Sequence, residues 1–367
     1  MNAATSPYVA TALDLPAGSP GGSVELFLDL YTGPRPRIPA QAFILAPDGP
    51  VPHTPKGLEL LRVGGKCSSG TRFGHYVTAL QRALAVAIDT SRIDVLHLQH
   101  LTFGATPALI RALPRHPRIA LVHGTDLLLA QGQRTQMRVL RETVRAAHAI
   151  VVPSGAMADH VRELAPTVDR GKIVHIPWGI PDRLIADPPP RPTRVPTDRL
   201  RLLYAGRLGV EKGVEPLVRA LAIAEGVQLS VAAPRIPYER LARTLDRVDV
   251  RYLGWLPRPQ LWQAFADHDA LVVPSTTLEA MGLVALEAQA CGLPVLYQPV
   301  PGLTETLGDT ALATDFTDAA RLARELTRLR TDTDLLPTLG AAGPRNAARY
   351  PLSATGIALT TLAHRLG

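Results

Sequence analysis

Two glutamates, Glu279 and Glu287, lie eight residues apart in the segment VVPSTTLEAMGLVALEAQACGLPVL. The apolar residues at 270–273 predict a strand covered on both faces, and a helix is expected at 282–291. Glu279 then lies in the loop at the carboxyl end of the strand, and Glu287 lies roughly a turn inside the helix. Open α/β sheets bind ligands at that edge, and the free amides of a helix start favour an anion. The segment predicts an anion site flanked by carboxylates, which suits a nucleotide carrying a sugar.

A second charged cluster stands in the segment LLYAGRLGVEKG. Arg207 directly follows a predicted strand, and Lys212 precedes Gly213 at the start of the next predicted helix. Two cations beside a helix start can neutralise a pyrophosphate, arginine through a bidentate fork and lysine as a point charge. Alone, the cluster is more typical of an ordinary loop that carries solvated charges. The carboxylate pair about 70 residues later favours the phosphate site.

The elements that must position these residues form two runs of alternating strands and helices. This pattern predicts an α/β fold with two Rossmann-like, doubly wound parallel-sheet domains facing across a cleft. The expected domains are residues 1–182 and 198–350, joined by a proline-rich linker at 183–197. A C-terminal helix at 351–367 is able to pack back on the first domain.

The individual elements follow from apolar runs and their flanking glycines and prolines. Strands are predicted at 8–15, 41–47, 93–99, 118–124, 148–154, 172–178, 200–206, 228–234, 250–255, 270–275 and 294–299. Helices are predicted at 23–31, 74–88, 105–113, 134–147, 155–163, 213–224, 237–245, 258–266, 282–291 and 354–366.

The composition bounds the class of protein. A hydrophobic content of 46% and a charged content of 19% are typical of a globular protein, and no apolar stretch is long enough to span a membrane. The first residues lack a secretory signal, so a cytoplasmic location is expected. The formal charge of +7 comes without a basic patch interleaved with aromatics, so no nucleic-acid partner is expected.

No metal site is predicted. Two cysteines are too few for a metal site or a disulfide framework. The Asp-x-Asp patterns at 267–269 and 331–334 are interpreted as structural, because the first leads into a buried strand and the second stands in a helical region.

The combined motifs resemble family-4 retaining glycosyltransferases of the GT-B fold. They are AGRL…EKG, then PS…Glu279…Gly282-Leu283…Glu287, and the helix end Cys291-Gly292-Leu293-Pro294-Val295. The likeness spans most of the chain and is closest in the second half. One departure is Glu279-Ala280-Met281-Gly282, where the family often has Glu-Gly-Phe-Gly.

The resemblance implies a role for each matching residue in the second domain. Arg207 and Lys212 would bind the donor diphosphate, helped by the backbone at Met281, Gly282 and Leu283. Glu287 would accept hydrogen bonds from the ribose, and Glu279 from the donor sugar. The nucleobase would lie against the backbone of Gly254 and Trp255. The family uses no metal or other cofactor, and the sugar is transferred with retention, UDP being the expected nucleotide.

In the first domain the resemblance is carried by loops at strand ends. Gly21 and Gly22 resemble the flexible loop that approaches donor phosphate and acceptor, although a plain turn is the alternative. His123 resembles the family histidine that contacts the donor sugar near the reacting carbon, although a core histidine is the alternative. His97 is interpreted as structural. The candidate acceptor residues share this edge: Asp14, Glu25, Gln99, His100 and Asp126.

The acceptor is the least determined part of the prediction. A soluble small molecule is expected, and the segment LDLPAGSPGGSVELFLDLY resembles glycosyltransferases of aminoglycoside antibiotic biosynthesis, which implies an aminocyclitol acceptor. Four arginines are expected on one face of a helix, and this arginine stripe is interpreted as a solvated surface. Contact with an anionic membrane or an acidic acceptor is the alternative. The stripe consists of Arg134, Arg138, Arg141 and Arg145. The alternatives are a lipid or polysaccharide acceptor, a sugar-nucleotide epimerase and an inactive nucleotide-sugar-binding module. The oligomeric state is not predicted.

Overall fold

The computed structural model describes residues 6–49, 54–192, 199–243, 245 and 248–366. The chain forms two compact units. Unit 1 consists of Met1–Trp178 with Leu352–Gly367, and unit 2 consists of Gly179–Pro351. The last helix of the chain therefore belongs to the first unit.

Unit 1 is built on a seven-stranded sheet in which every pair of neighbours is parallel. Its strands are β1 Val9–Pro16, β2 Ala40–Leu45, β3 Leu58–Leu61, β4 Val95–Gln99, β5 Arg118–Leu121, β6 Ala149–Val152 and β7 Ile173–His175. Its helices are α1 Gly22–Tyr31, α2 Gly70–Ala87, α3 Ala105–Ala112, α4 Thr125–Gly132, α5 Arg134–Ala146, α6 Gly155–Leu164 and, at the end of the chain, α15 Leu352–His364.

The strand order of unit 1 is β3-β2-β1-β4-β5-β6-β7. The order reverses between β1 and β4, and ligands of doubly wound sheets bind beside such a switch point. Both strands are almost wholly buried, as expected for a sheet with helices on both faces.

Unit 2 is built on a six-stranded sheet, also parallel, in the order β10-β9-β8-β11-β12-β13. Its strands are β8 Leu200–Ala205, β9 Val227–Ala232, β10 Val250–Gly254, β11 Ala270–Val273, β12 Val295–Tyr297 and β13 Leu312–Ala313. Its helices are α7 Asp182–Ala186, α8 Val214–Leu221, α9 Arg235–Ala242, α10 Arg258–Ala266, α11 Leu283–Ala290, α12 Pro301–Leu307, α13 Ala319–Thr331 and α14 Leu335–Ala347. The switch point of this sheet lies between β8 and β11.

The apolar core of unit 2 explains why these elements assemble. Leu202 and Tyr204 of β8, with Val272 of β11, pack against Leu217 of α8 and Leu326 of α13, and all five are buried. At roughly 25 cal/mol per Å² of buried apolar surface, such packing dominates the stability of the unit. The same core fixes the ends of β8 and β11 relative to each other.

The predicted α/β fold with two doubly wound parallel sheets is confirmed. The sequence patterns missed the short strands β3 and β13 and the helices α4, α12, α13 and α14. The residues of the predicted linker at 183–192 belong to unit 2, where α7 forms part of them. Residues 193–197 of that linker, like residue 244 of the helix predicted at 237–245, lie outside the described residues. Across the described residues, no helix has the length and apolarity needed to cross a membrane.

Candidate functional site

Lys212 and Glu279 meet beside the switch point of unit 2. The Lys212 Nζ donates to Glu279 Oε2 at 2.5 Å, and Ser275 Oγ donates to the same oxygen at 2.9 Å. Both charged side chains keep about a fifth of their surface exposed, at 21% and 18%. The loops after β8 and β11 thus bring an ammonium and a carboxylate to one partly solvated position.

Two glycines allow these loops to approach so closely. Gly213 has a φ of +64°, and a Cβ there would overlap the carbonyl oxygen of Pro274. A Cβ on Gly302, at the start of α12, would likewise overlap the carbonyl oxygen of Glu279. Both positions need glycine because backbone approaches backbone there. The amide of Thr276 also donates to the carbonyl of Glu211 at 3.0 Å, which ties the two loops together.

Arg207 stands at the carboxyl end of β8 and is half-buried. Its carbonyl accepts a hydrogen bond from the hydroxyl of Tyr204 at 2.5 Å. Burial, followed by the charges of Glu279 and Glu211, raises the pKa of Tyr204 well above its ordinary value, so this hydroxyl stays protonated and keeps donating. Tyr204 therefore fixes the backbone from which the Arg207 guanidinium extends.

The start of α11 is shaped for an anion. Gly282, its N-cap, has a φ of +73° and no side chain to cap the first amides, and Met281 before it is buried. Leu283 is the first residue of the helix. Uncapped amides at a helix start bind anions, so the geometry suits the diphosphate role that the resemblance implies.

Glu287 has protein partners on both carboxylate oxygens. Arg258 Nη2 lies 2.7 Å from Oε1, and Trp262 Nε1 donates to Oε2 at 3.1 Å. Only 4% of the Glu287 side chain is exposed. Burial, with the charge of Glu287 as a smaller cause, raises the pKa of the Cys291 thiol to about 12, so the sulfur at this helix end is a neutral core atom. Each carboxylate oxygen has one protein donor here and is able to accept a second hydrogen bond, which leaves room for the ribose role that the resemblance implies.

Gly254 is the last residue of β10, the edge strand of the same sheet, and Trp255 follows it. Gly254 has a φ of +76°, and the Trp255 side chain is 39% exposed. Nearby, the rings of Tyr238 and Tyr252 stack with centroids 3.9 Å apart. A stacked aromatic pair thus lies beside the backbone that the resemblance assigns to the nucleobase.

In unit 1, Asp14 at the end of β1 is buried and fully engaged. Tyr76 donates to its Oδ1 at 2.5 Å, and the amide of Gly104 donates to its Oδ2 at 2.6 Å. Lys66 Nζ lies 3.5 Å from Oδ1 and also donates to the Asp14 carbonyl. Burial, with Asp14 adding to it, raises the pKa of Tyr76 far above its ordinary value. Asp14 thus joins β1 to α2, to the start of α3 and to the loop before α2.

Gln99 and His123 form a chain of hydrogen bonds across the ends of β4 and β5. Gln99 Nε2 donates to Thr11 Oγ1 at 3.0 Å, and Gln99 Oε1 lies 3.2 Å from His123 Nε2. The His123 ring stacks on Trp178 with centroids 5.7 Å apart. Burial lowers the pKa of His123 to about 4, so its imidazole is neutral at pH 7.

Asp126, in the first turn of α4, is completely buried. Its Oδ2 accepts from the amide of Leu101 at 2.9 Å and its Oδ1 from the amide of His123 at 3.2 Å. Burial raises the pKa of Asp126 to about 6, against the lowering effect of these amides. The carboxylate positions His123 and the loop after β4.

The remaining first-unit candidates line the same edge. Gly21 is the N-cap of α1 with a φ of +144°, Gly22 begins the helix, and Glu25 lies half-buried in its first turn. His100 is buried with a φ of +81°, an unusual conformation for a residue other than glycine. Such a conformation is typical of positions where a loop is shaped for a ligand.

Other predicted features have structural partners. His97 is buried against the hydroxyl of Tyr31, at 2.8 Å from its Nδ1. Asp269 receives the amide of Arg201 at 2.7 Å and its guanidinium at 3.3 Å. Asp332 caps the end of α13 and accepts from the amide of Asp334 at 3.1 Å.

Family models match both halves of the chain. Residues 39–184 match the family described as Glycosyltransferase Family 4, and residues 189–345 match Glycosyl transferases group 1. The chain is also 30% identical, over 303 residues, to the D-inositol 3-phosphate glycosyltransferase of Thermobispora bispora. That alignment covers 74% of this chain and 70% of the relative. The chain belongs to family 4 of the glycosyltransferases.

Solved structures agree with this family-4 glycosyltransferase in fold. The sucrose-phosphate synthase of Thermosynechococcus elongatus superposes with a TM-score of 0.78 at 20% identity, covering 98% of this chain and 99% of that one. HepE of Anabaena, solved with UDP-glucose, superposes with a TM-score of 0.76 at 18% identity, covering 98% and 100%. The fold is GT-B, and the protein is a hexosyltransferase that uses a nucleotide sugar.

Several residues that shape the site of this family-4 glycosyltransferase were missed by sequence reasoning. Tyr76 and Lys66 on Asp14, and Ser275 on Glu279, act through contacts that no local pattern predicts. The Pro301-Gly302 pair does have a sequence signal, because proline is common in the first turn of a helix and glycine allows close backbone contact. Arg258 also follows a proline at a helix start and was interpreted only as part of a helix.

Proposed function

We propose that the protein moves a hexose or aminohexose from a UDP-linked sugar to a hydroxyl of a soluble small-molecule acceptor, with retention of anomeric configuration. The observation that carries this proposal is the contact of Lys212 with Glu279 beside the switch point of unit 2. It supports a site where a cation for phosphate and a carboxylate for sugar hydroxyls stand together.

The donor diphosphate is assigned to Lys212, Arg207 and the start of α11. An ammonium has three hydrogens, and Glu279 takes one of them, so Lys212 can bridge Glu279 and a phosphate oxygen. Arg207 adds a fork for a second oxygen, and the amides at Gly282 and Leu283 face the developing charge. As the sugar–phosphate bond breaks, these groups stabilise the leaving nucleotide.

The sugar is assigned to Glu279 and His123. Glu279 retains lone pairs beyond those used by Lys212 and Ser275, and sugar hydroxyls can donate to them. His123 is neutral at pH 7, so its ring nitrogens can exchange hydrogen bonds with sugar hydroxyls without placing a cation beside the positive transition state. The acceptor hydroxyl attacks the face that the nucleotide leaves, and the departing phosphate oxygen takes its proton.

UDP is proposed as the nucleotide because the family resemblance implies it and because HepE was solved with UDP-glucose. Glu287, held by Arg258 and Trp262, would receive the ribose hydroxyls. The backbone of Gly254 and Trp255 would face the base.

A cyclitol is proposed as the acceptor, either a positively charged aminocyclitol or a negatively charged cyclitol phosphate. The resemblance to aminoglycoside-forming enzymes favours an aminocyclitol, for which Asp14, Glu25 and Asp126 would supply negative charge. The relative from Thermobispora bispora is named for D-inositol 3-phosphate, which favours a phosphorylated cyclitol. The buried pairing of Asp14 with Tyr76, Gly104 and Lys66 supports this second candidate, since little of that carboxylate is left for a cationic ligand.

The test is a matrix of donors and acceptors read by mass spectrometry. Purified protein is incubated with UDP-, GDP- and ADP-linked hexoses, each with 2-deoxystreptamine, with D-inositol 3-phosphate, with a polyprenyl phosphate or without acceptor. We expect a cyclitol hexoside only with a UDP sugar. Proton NMR of the product should give an anomeric coupling constant that shows the same anomeric configuration as in the donor sugar.

Three outcomes would reject the proposal in different ways. Interconversion of the nucleotide sugar without acceptor would make the protein an epimerase. Transfer only to the polyprenyl phosphate would move the acceptor to a lipid. Binding of UDP without any turnover would leave a nucleotide-sugar-binding module.

A further inference from the structure

Helices α4 and α5 of unit 1 form a basic groove. It has a volume of about 440 Å³ and is lined mainly by Ala130 of α4 with Arg134, Met137, Arg138, Arg141 and Arg145 of α5. We call it the arginine groove. The four arginines, interpreted above as a solvated stripe, thus share one concave surface. Its volume lies within the range of small-molecule sites, about 300–1,000 Å³.

Among the described residues, no ion pair neutralises the arginines of this groove. The hydrogen bonds of their guanidinium groups go to backbone carbonyls, from Arg141 Nε to Leu164 at 3.1 Å and from Arg145 Nε to Arg141 at 3.3 Å. Lys172 adds a cation at the same end, with its Nζ 3.4 Å from the carbonyl of Arg145. Hydrogen bonds to neutral carbonyls orient these side chains and leave their charge available.

The arginines at the start of α5 oppose the stability of the helix, whereas Arg145 in its last turn is favourably placed. Arg134 and Arg138 stand near the positive end of the helix dipole, and the first turn carries no acidic residue and no side-chain cap. Arg134 and Arg138, like Arg141 and Arg145, are also like-charged pairs at i,i+4 spacing. Where local rules are broken without a compensating contact, a binding role is the physical expectation.

We propose that the arginine groove binds a phosphate ester that carries at least two negative charges. Guanidinium forks match phosphate oxygens in pairs, and arginines spaced along one helix face can hold two phosphates at once. Ala130 and Met137 supply an apolar floor for the organic body between the phosphates. The ligand is a phosphorylated sugar or a phospholipid headgroup, since the two share this chemistry.

The experiment measures binding of fructose 1,6-bisphosphate to the full chain by isothermal titration calorimetry, with fructose as the uncharged reference. Parallel sedimentation uses phosphatidylcholine vesicles with and without phosphatidylinositol 4-phosphate, whose headgroup carries more than two negative charges. The test variant is R134Q/R138Q, because both residues are exposed and neither side chain has a hydrogen bond to another described residue. The matched control is R82Q/R111Q, which removes two exposed arginines from α2 and α3 of the same unit.

We expect one equivalent of bisphosphate to bind, and its affinity to fall at least tenfold in R134Q/R138Q but less than twofold in R82Q/R111Q. Raising the salt concentration should weaken binding to wild type. R134K/R138K, which keeps the charge and loses the forks, should bind with intermediate affinity. The variant K212A should bind like wild type, because the site is separate from the donor residues.

Sedimentation with the phosphatidylinositol 4-phosphate vesicles but no bisphosphate binding, again lost in R134Q/R138Q, supports the proposal and makes a headgroup the ligand. The proposal is overturned if neither probe binds, if R134Q/R138Q binds as well as wild type, or if the control loses as much. Loss of bisphosphate binding in K212A would also overturn it, by moving the anion to the donor site. None of these readouts requires transferase turnover.

Discussion

The carboxyl edges of the two sheets differ in how their polar residues are used. In unit 2, Lys212 and Glu279 form a partly exposed ion pair. In unit 1, Asp14 and Asp126 are buried, and each carboxylate oxygen is occupied by a donor from the same unit. The edge of unit 2 thus has a partly solvent-exposed ion pair, whereas the carboxylates at the edge of unit 1 are hydrogen-bonded to the loops of unit 1 itself.

This difference agrees with the proposed roles of the two units, donor binding in unit 2 and acceptor binding in unit 1. A diphosphate is the same in every nucleotide sugar, so fixed charges can serve it in unit 2. At the ends of β4 and β5 the polar network of unit 1 is neutral, with His123 uncharged and hydrogen-bonded to Gln99. Shape and hydrogen bonds, more than charge, are then expected to select the acceptor.

The largest effect is expected from K212A, which removes the cation from the unit 2 edge. We expect kcat to fall by about 10²–10³, because the leaving diphosphate loses a preorganised charge and Glu279 loses its partner. The measurement is initial rate with a UDP sugar under saturating acceptor. K56A, which removes an exposed lysine of unit 1, is the control and should keep the wild-type rate. A K212A enzyme with wild-type turnover would mean that the exposed ion pair has no part in transfer.

The next largest effect is expected from G302A. A Cβ there overlaps the carbonyl oxygen of Glu279, so the loop that carries the carboxylate must move. Misplacement by about 1 Å can lower a rate roughly a hundredfold, and we expect a loss of kcat/KM on that order with the fold retained. G132A in α4, where a Cβ meets nothing within 4 Å, is the control. Equal rates for the two variants would show that the Glu279 loop tolerates displacement.

Y76F tests whether the Asp14 network of unit 1 is structural. It leaves Asp14 Oδ1 with Lys66 alone, and loss of a hydrogen bond to a buried charge costs about 1–3 kcal/mol. We expect a lower free energy of unfolding, measured in urea, with kcat nearly unchanged while the protein is folded. The control is Y8F, at the residue that precedes β1 in the same unit, and it should change the free energy of unfolding by less than about 0.5 kcal/mol. A large loss of kcat at unchanged stability would instead assign Asp14 to the acceptor.

The smallest effect is a change in the pH dependence of stability. Burial lowers the pKa of His97 to about 3 and that of His123 to about 4. Below pH 6.5 the unfolded chain therefore binds protons at these histidines that the folded protein does not bind, and the free energy of unfolding decreases as the pH is lowered. Asp126 acts in the opposite sense, because its raised pKa of about 6 lets the folded state hold a proton that the unfolded chain releases. Between pH 4 and 6 these three groups leave a net uptake of about one proton.

D126N removes the opposing group. The slope of unfolding free energy against pH between 4 and 6 should then steepen by about 1.4 kcal/mol per pH unit, in urea titrations at several pH values. D48N, which neutralises an exposed carboxylate, should leave the slope as in wild type. An unchanged slope in D126N would show that Asp126 does not hold its proton in the folded state.

The sequence predicted the unit 2 edge better than the unit 1 edge, for a physical reason. Arg207, Lys212 and Glu279 lie within a few residues of strands whose apolar runs are unmistakable, and parallel strands bring their carboxyl ends to one edge. The 2.5 Å contact of Lys212 with Glu279 follows from that arrangement. The functional roles of these residues stay predictions.

The contacts of unit 1 could not be read from local patterns. Asp14 meets Tyr76 and Gly104 across 62 and 90 residues, and Asp126 meets Leu101 across 25. Periodicity says which residues are buried but not which partner satisfies them. The same limit applies to β3, which has only four residues with little burial contrast. Helices α12 and α14 were missed because they contain glycine and proline, residues that usually end helices.

The position of α15 also governs when unit 1 can complete its fold. Thr355 in this helix donates to the carbonyl of Pro177 at 2.8 Å, and Gly356 lies against the side chain of Arg37. The ribosome makes α15 only after the whole of unit 2, so the surface of unit 1 that receives it waits uncovered for more than 170 residues of synthesis. Folding of the first unit is therefore finished last. A chain interrupted after Pro351 would carry a completed unit 2 and an exposed apolar surface on unit 1, where aggregation would begin.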